Sequence, residues 1–118
     1  MQALDLLDPV LAAAWRSSGL KPLVLGGREL LPLVQGGMGV GISAHRLAGT
    51  VAREGAVGTV ASIDLRHHHP DLLEQTANTR DKATIDRINL IALDREVNQA
   101  LALSEGRGAI AVNVMKAV

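Results

Sequence analysis

The feature that most constrains the fold is a cluster of glycines between a short apolar segment and a predicted helix. Residues 33–35 (LVQ) are followed by residues 36–41 (GGMGVG), which hold four of the twelve glycines in the chain. Glycine tolerates backbone conformations and close approaches that a Cβ atom would forbid. A strand that enters such a segment and then a helix is typical of parallel sheets with tight strand-to-helix turns.

Hydrophobic spacing and turn residues predict the other elements of the chain. In the first half of the chain we expect a helix over 4–17, a β-hairpin over 23–30 with its turn at Gly26-Gly27, and a helix over 44–54 with Ser43 as its N-cap and Gly55 just beyond its end. In the second half we expect a strand over 57–63, a polar loop over 64–70, helical structure over 71–105 broken near 77–81, and a strand over 109–115.

Three apolar strands joined by helical segments predict an α/β fold with a parallel sheet. Two architectures begin in this way, the Rossmann sheet and the (β/α)8 barrel. In both, the first three strands lie side by side in sequential order, so the order of elements does not separate them.

The composition argues against several classes of function. The 118 residues carry 12 Lys and Arg against 12 Asp and Glu, so no net charge draws the chain toward a phosphate backbone. Trp15 is the only aromatic residue, so base stacking lacks a platform. We therefore expect no nucleic-acid partner.

Other features of the composition bear on location. Cysteine is absent, which excludes disulfides, thiolate nucleophiles and Cys-based metal sites. Asp5 and Asp8 interrupt the first apolar run, whereas the apolar region of a signal peptide is uninterrupted. The charge-free stretch 30–44 is too short to span a bilayer. We expect a cytoplasmic protein without a membrane partner.

The glycine cluster has three interpretations. Residues 39–44 (GVGISA) match the dinucleotide fingerprint G-x-G-x-x-G/A, and Asp64 lies near the spacing of a ribose-binding acid. Alternatively, glycines at the carboxyl end of a barrel strand let backbone N–H groups approach a flavin ring, with Met38 as a polarizable contact. A third interpretation gives the glycines only a packing role.

The segments LPLVQGGMGVGIS, AREG, GTVASID and GRGAIAVNVM resemble the nitronate monooxygenase family, also called 2-nitropropane dioxygenase-like. The resemblance runs from about Leu23 to the end of the chain, and its Q-G-G-M element is the most specific part. It implies an FMN-dependent (β/α)8 barrel that oxidises alkyl nitronates with O2. It also implies that Gly37, Met38, Gly39 and Asn113 contact the flavin.

The resemblance covers only the beginning of the family's barrel. It implies a partial FMN-binding domain over 1–118, with a helix and hairpin in 1–32 and the first three β/α units in 33–118. The family's catalytic His and its phosphate-binding segments lie further along, so we assign no catalytic residue. The alternatives are a flavin-dependent enoyl-acyl-carrier-protein reductase, an NAD(P)H:quinone reductase, or a fragment without chemistry of its own. The number of subunits is left open.

Histidines are the remaining candidates for chemistry. Residues 67–69 (HHH) suggest a metal site, but adjacent loop residues rarely converge on one ion, so we expect no metal and a solvated loop. His45, in the first turn of a helix, is expected to be exposed. The charged residues around Asp94, Arg95 and Glu96 are expected to form a solvated helix face.

Overall fold

The computed structural model describes residues 7–115 and shows a mixed α/β protein. Its elements follow in this order: α1 Pro9–Ser18, β1 Leu23–Leu25, β2 Arg28–Leu30, α2 His45–Arg53, β3 Val57–Ala61, a 3-10 turn Leu65–His68, α3 Pro70–Thr76, α4 Lys82–Ser104 and β4 Ala109–Asn113.

The strands form two small sheets. β1 and β2 are an antiparallel hairpin whose turn residues, Gly26 and Gly27, both have positive φ. β3 and β4 pair in parallel, with Val57 opposite Ala109 and Ala61 opposite Asn113. Within residues 7–115 these strands do not close into a barrel.

The predicted first parallel strand is present as a short extension of the β3–β4 sheet. Val34 forms a parallel bridge to Val57, on the side of β3 opposite β4. The Gln35 N–H donates to Val57 O at 2.9 Å, and the Val57 N–H donates to Leu33 O at 3.0 Å. The parallel pairing of the second and third predicted strands is therefore confirmed, whereas the first predicted strand, residues 33–35, is reduced to a single parallel bridge.

Helices α2 and α4 cover one face of this sheet. The core contains Val60 from the sheet, Ala48 from α2, and Ile88 and Ala92 from α4, and the partly buried Ile110 of β4 packs against it. A Cβ atom built on Gly58 would overlap the carbonyl group of Ala48 in α2. Glycine at this position therefore lets the helix approach the strand backbone closely.

Most helix boundaries agree with the sequence. The break between α3 and α4 falls where it was predicted, and Gly55, at φ 97°, follows α2 as expected. The first helix differs, since α1 begins at Pro9 with Asp8 as N-cap and its Oδ1 accepts the N–H groups of Val10 and Leu11. The predicted residues 4–6 of this helix lie outside the described residues.

The prediction for the start of α2 is wrong. Ala44, not Ser43, is the N-cap residue, and its own side chain makes no capping hydrogen bond. Ser43 is fully buried because its hydroxyl group lies inside the glycine cluster. Another part of the chain, described below, supplies the cap.

Candidate functional site

The glycine loop, defined here as residues 36–44, is fastened to β3 by one side chain and one backbone carbonyl. The strand ends at Gln35, and the Gln35 side chain then continues the ladder, because its Oε1 accepts the Thr59 N–H at 2.9 Å. Further along, Ser43 O accepts the Ala61 N–H at 2.9 Å. The loop therefore follows β3 through a side chain and a backbone carbonyl where a regular strand would use backbone alone.

Ser43 also closes the loop on itself. Its Oγ accepts the Met38 N–H at 2.8 Å and a hydrogen bond from Gln35 Nε2 at 3.0 Å. The Ser43 N–H donates to Met38 O at 2.9 Å. These hydrogen bonds fix the turn without help from any ligand, so the loop has a defined shape as it stands.

Gly37, Gly39 and Asn113, three of the four predicted flavin contacts, lie together at the carboxyl ends of β3 and β4. They line one cavity of about 170 Å³, with Ala61, Ser62, Ile63 and Met115. The cavity is smaller than a typical ligand pocket. It has room for the edge of a ring system rather than for a whole cofactor.

The absence of side chains at two loop positions creates this arrangement. A Cβ atom on Gly37 would lie 2.9 Å from Asn113 Cβ and 3.1 Å from Asn113 Nδ2. A Cβ atom on Gly39 would overlap the Ile63 side chain. Gly36, in contrast, faces open space and has no positive φ. Gly37 and Gly39 are thus the glycines that the close approach requires.

Several polar groups beside this cavity are available to a ligand. Among the described residues, nothing accepts the N–H groups of Gly37 and Gly39, and the Asn113 side-chain amide makes no hydrogen bond. The amide has both donor and acceptor atoms. This set can bind the polar edge of a planar heterocycle.

Met38, the fourth predicted contact, differs from the other three. Its side chain is about half exposed, at 49%, and it does not line the cavity. Ser43 already occupies its N–H group. A ligand in the cavity would therefore meet backbone donors from Gly37 and Gly39, while Met38 has only its side chain and the second lone pair of its carbonyl to offer.

A buried carboxylate that we expected to be solvated lies behind the loop. Glu96 is only 3% exposed, and its Oε2 accepts the His45 N–H at 2.8 Å and the His45 Nδ1–H at 2.7 Å. Its Oε1 lies 3.0 Å from His69 Nε2. Glu96 thus caps α2 from α4, which explains why Ala44 and Ser43 do not.

The hydrogen bonds to Glu96 decide its charge state. Burial acts to raise the pKa of Glu96, but the His45 amide, the His45 ring and the charges of His45 and His69 together hold that pKa below its ordinary value. The carboxylate is therefore ionised at neutral pH. Each of the two imidazoles donates one ring N–H to this carboxylate.

The three consecutive histidines have different surroundings. His67 and His68 are exposed, and His68 Nε2 lies 3.1 Å from Val40 O in the glycine loop. The His69 side chain is 11% exposed because it packs against Glu96. The predictions of an exposed His45, a wholly solvated histidine loop and a solvated Glu96 are therefore wrong.

The sequence does contain a signal for Glu96. The buried row of α4 repeats every four residues: Ile88, Ala92, Glu96, Ala100 and Ser104. A carboxylate at the centre of a buried row requires donors from other elements, and histidines are the natural candidates.

Asp64 stands directly after β3, with φ 48°. It pairs with Arg66 and lies 3.4 Å from Asn89 Nδ2. These contacts favour the interpretation of Asp64 as the polar cap of the loop that follows the strand. Asp64 does not line the cavity beside Gly37.

Three further results concern the described residues as a whole. Over residues 7–115 no helix is both long enough and apolar enough to cross a membrane. In the same range, no group of three or more His, Asp or Glu side chains is arranged to hold a metal ion. Comparison of the chain with protein-family models, with curated proteins and with solved structures finds no match.

Proposed function

We propose that this chain is the N-terminal part of an FMN-dependent (β/α)8-barrel oxidoreductase, and that the glycine loop with Asn113 binds the edge of the flavin ring. The proposal starts from the resemblance of the segments around residues 33–43 and 106–115 to nitronate monooxygenases. The order of the parallel strands is compatible with the first part of such a barrel.

One observation carries the proposal. Gly37, Gly39 and Asn113 come from segments more than seventy residues apart, yet they line one cavity at the carboxyl ends of parallel strands. In α/β folds this edge of the sheet is where ligands bind. A Cβ at Gly37 would press against Asn113, so the glycine matters for the shape of the cavity.

The groups present fit the edge of an isoalloxazine ring. Its pyrimidine edge alternates carbonyl and N–H groups, which the N–H groups of Gly37 and Gly39 and the Asn113 amide complement. When bound, the flavin supplies two-electron oxidation of the substrate and the subsequent reaction with O2. The chain's own residues would bind the ring and orient it through Asn113, with Ile63 and Met115 lining the cavity beside its edge.

The same geometry disfavours the dinucleotide interpretation. In that fold the pyrophosphate binds at the N-terminus of the helix that follows the glycines. Here the Glu96 carboxylate accepts the first N–H of α2, from His45. The buried negative charge of Glu96 would repel a pyrophosphate at this position, so the N-terminus of α2 is unfavourable for a second anion.

A flavin-binding assay tests the proposal. Purified chain is titrated with FMN and with lumiflavin, which has the ring but no ribityl phosphate, and backbone amides are followed by 15N NMR. We expect both compounds to shift the Gly37, Gly39 and Asn113 signals. Comparable affinity for the two is expected, since the described contacts involve the ring alone.

Two alanine variants provide a matched comparison. Gly37→Ala places a Cβ against Asn113, whereas Gly36→Ala adds one in open space. We expect Gly37→Ala to weaken flavin binding about tenfold and Gly36→Ala to leave it unchanged. Equal affinities for the two variants, or flavin shifts away from this cavity, would contradict the proposed site.

The substrate is proposed from the resemblance alone. An alkyl nitronate is the first choice, and a flavin-dependent enoyl-acyl-carrier-protein reductase or an NAD(P)H:quinone reductase is the alternative. Anaerobic mixing of the flavin-loaded protein with propane-2-nitronate or with NADPH distinguishes them. Loss of visible flavin absorbance with nitronate, but not with NADPH, is the result expected for nitronate oxidation. Loss of absorbance with NADPH would favour the reductases.

A further inference from the structure

The glycine loop is connected to Glu96 from both of its sides. On one side the loop leads directly into α2, whose first residue, His45, donates both its N–H and its Nδ1–H to Glu96 Oε2. On the other side, His68 Nε2 lies 3.1 Å from Val40 O, and the next residue, His69, contacts Glu96 Oε1 at 3.0 Å.

The contact between His68 and the loop is close. A Cβ atom on Gly41 would overlap the His68 imidazole, and Gly41 itself has φ 68°. His68 therefore packs directly against the loop backbone, next to the Val40 carbonyl. The segment from Val40 to His45 is thus connected to Glu96 at both ends: directly through His45, and at Val40 through His68 and its neighbour His69.

We propose that Glu96 is a positioning residue for the glycine loop, which acts through His45 and the His68–His69 pair. Its role in flavin binding rests on the proposed function, because the loop is the proposed flavin site. Glu96 itself does not line the cavity beside Gly37, so it touches no ligand there. It determines where the loop backbone lies.

A carboxylate suits this role because its two oxygens accept hydrogen bonds from two directions at once. The surrounding charges keep those donors in place. Arg95 Nη1 lies 3.5 Å from His69 Nδ1, and both Arg95 nitrogens bind the Asp71 carboxylate, at 2.9 and 2.8 Å. His69 is therefore held between Glu96 and Arg95, with Nε2 as its donor to Glu96.

A pair of variants at His69 tests the connection without a flavin. The Nε2 of a glutamine side chain can donate to Glu96 Oε1 as the imidazole does, whereas alanine cannot. We expect His69→Ala to change the NMR shifts and to speed the hydrogen exchange of the Val40 and Gly41 amides. His69→Gln should return both the chemical shifts and the exchange rates of these amides toward the wild-type values. His67→Ala, at the exposed neighbour, should change neither.

Flavin affinity provides the second readout. We expect Glu96→Gln and His69→Ala to weaken binding about three- to tenfold, and His69→Gln to recover most of it. Ile88→Val removes a methyl group from the same buried row of α4, two turns of the helix before Glu96. It should lower stability without weakening flavin binding, which separates positioning from a general loss of stability.

The outcomes separate the two proposals. If the unchanged chain binds no flavin, the proposed function fails, and the Val40 and Gly41 amides alone decide the role of Glu96. Unchanged amides in His69→Ala, or a failure of His69→Gln to restore them, would overturn that role. Equal loss of flavin affinity in Ile88→Val and Glu96→Gln would overturn it too.

Discussion

Replacing Glu96 by glutamine should destabilise the protein strongly, because the carboxylate satisfies three donors in a site that is only 3% exposed. Glutamine keeps one acceptor oxygen. Its NH2 group replaces the second oxygen and therefore faces donors that have lost their acceptor. One lost hydrogen bond to a charged group costs about 1.5–3 kcal/mol, and the donor left without an acceptor adds to this. We therefore expect the free energy of unfolding to fall by about 2–4 kcal/mol, a large part of the roughly 5–15 kcal/mol typical of a domain.

The same variant should change how stability depends on pH. The pKa of Glu96 is lower in the folded protein than its ordinary value. Its ionised form therefore stabilises the fold above the ordinary glutamate pKa, and this contribution is lost as the pH falls through the lowered value. The difference in unfolding free energy between the unchanged protein and Glu96→Gln should accordingly be greatest near neutral pH and shrink in acid.

Urea unfolding followed by circular dichroism, at about pH 7 and about pH 3.5, measures both effects. Glu74→Gln is the control, since Glu74 is an exposed residue of α3 and its replacement should change stability by less than about 0.5 kcal/mol. The reasoning is refuted if Glu96→Gln is as stable as this control at neutral pH. It is also refuted if the loss caused by Glu96→Gln is the same at both pH values.

Two further predictions concern packing and the loop. Gly58→Ala forces a Cβ into the carbonyl group of Ala48 and should cost about 1–3 kcal/mol in thermal unfolding, whereas Gly36→Ala should be neutral; equal melting temperatures would contradict the close packing of α2 on β3. Ser43→Ala removes the acceptor of the Met38 N–H and should cost about 1–3 kcal/mol, with faster hydrogen exchange of that amide; an unchanged exchange rate would show that the hydroxyl does not hold the loop.

The sequence predicted the elements of this fold better than it predicted their contacts. The hairpin turn, the break before α4 and the parallel strands depend on local patterns of Gly-Gly, turn residues and apolar runs, all visible in the chain. Such patterns depend on neighbours in sequence, so the elements can be predicted from them without knowledge of the tertiary structure.

Ser43 and Glu96 were misjudged for the opposite reason. A serine before a helix is a good N-cap by local preference, but a carboxylate fifty-one residues away caps α2 and leaves the Ser43 hydroxyl to the glycine loop. Glu96 looked solvated because its neighbours in sequence are charged. Its burial follows from the four-residue repeat of α4 and from the position of the histidines, which only the tertiary structure brings together.

Three of the four residues predicted for the candidate site lie together in the structure, and their role there stays a prediction. Gly37, Gly39 and Asn113 were named from the family resemblance, and they line one cavity. The same prediction grouped Met38 with them, but Ser43 accepts its N–H and its side chain lies outside the cavity. A sequence motif groups neighbouring residues without regard to their hydrogen bonds. The hydrogen bonds within the loop decide which of their backbone groups remain available to a ligand.

Lumiflavin titration of the chain, followed at the Gly37, Gly39 and Asn113 amides, tests the central claim most directly. We predict saturable shifts confined to these three residues and their neighbours around the cavity, retained in Gly36→Ala and weakened about tenfold in Gly37→Ala. Absence of saturable shifts at these amides, or shifts that Gly37→Ala leaves as they are, would contradict a flavin-edge site at the glycine loop.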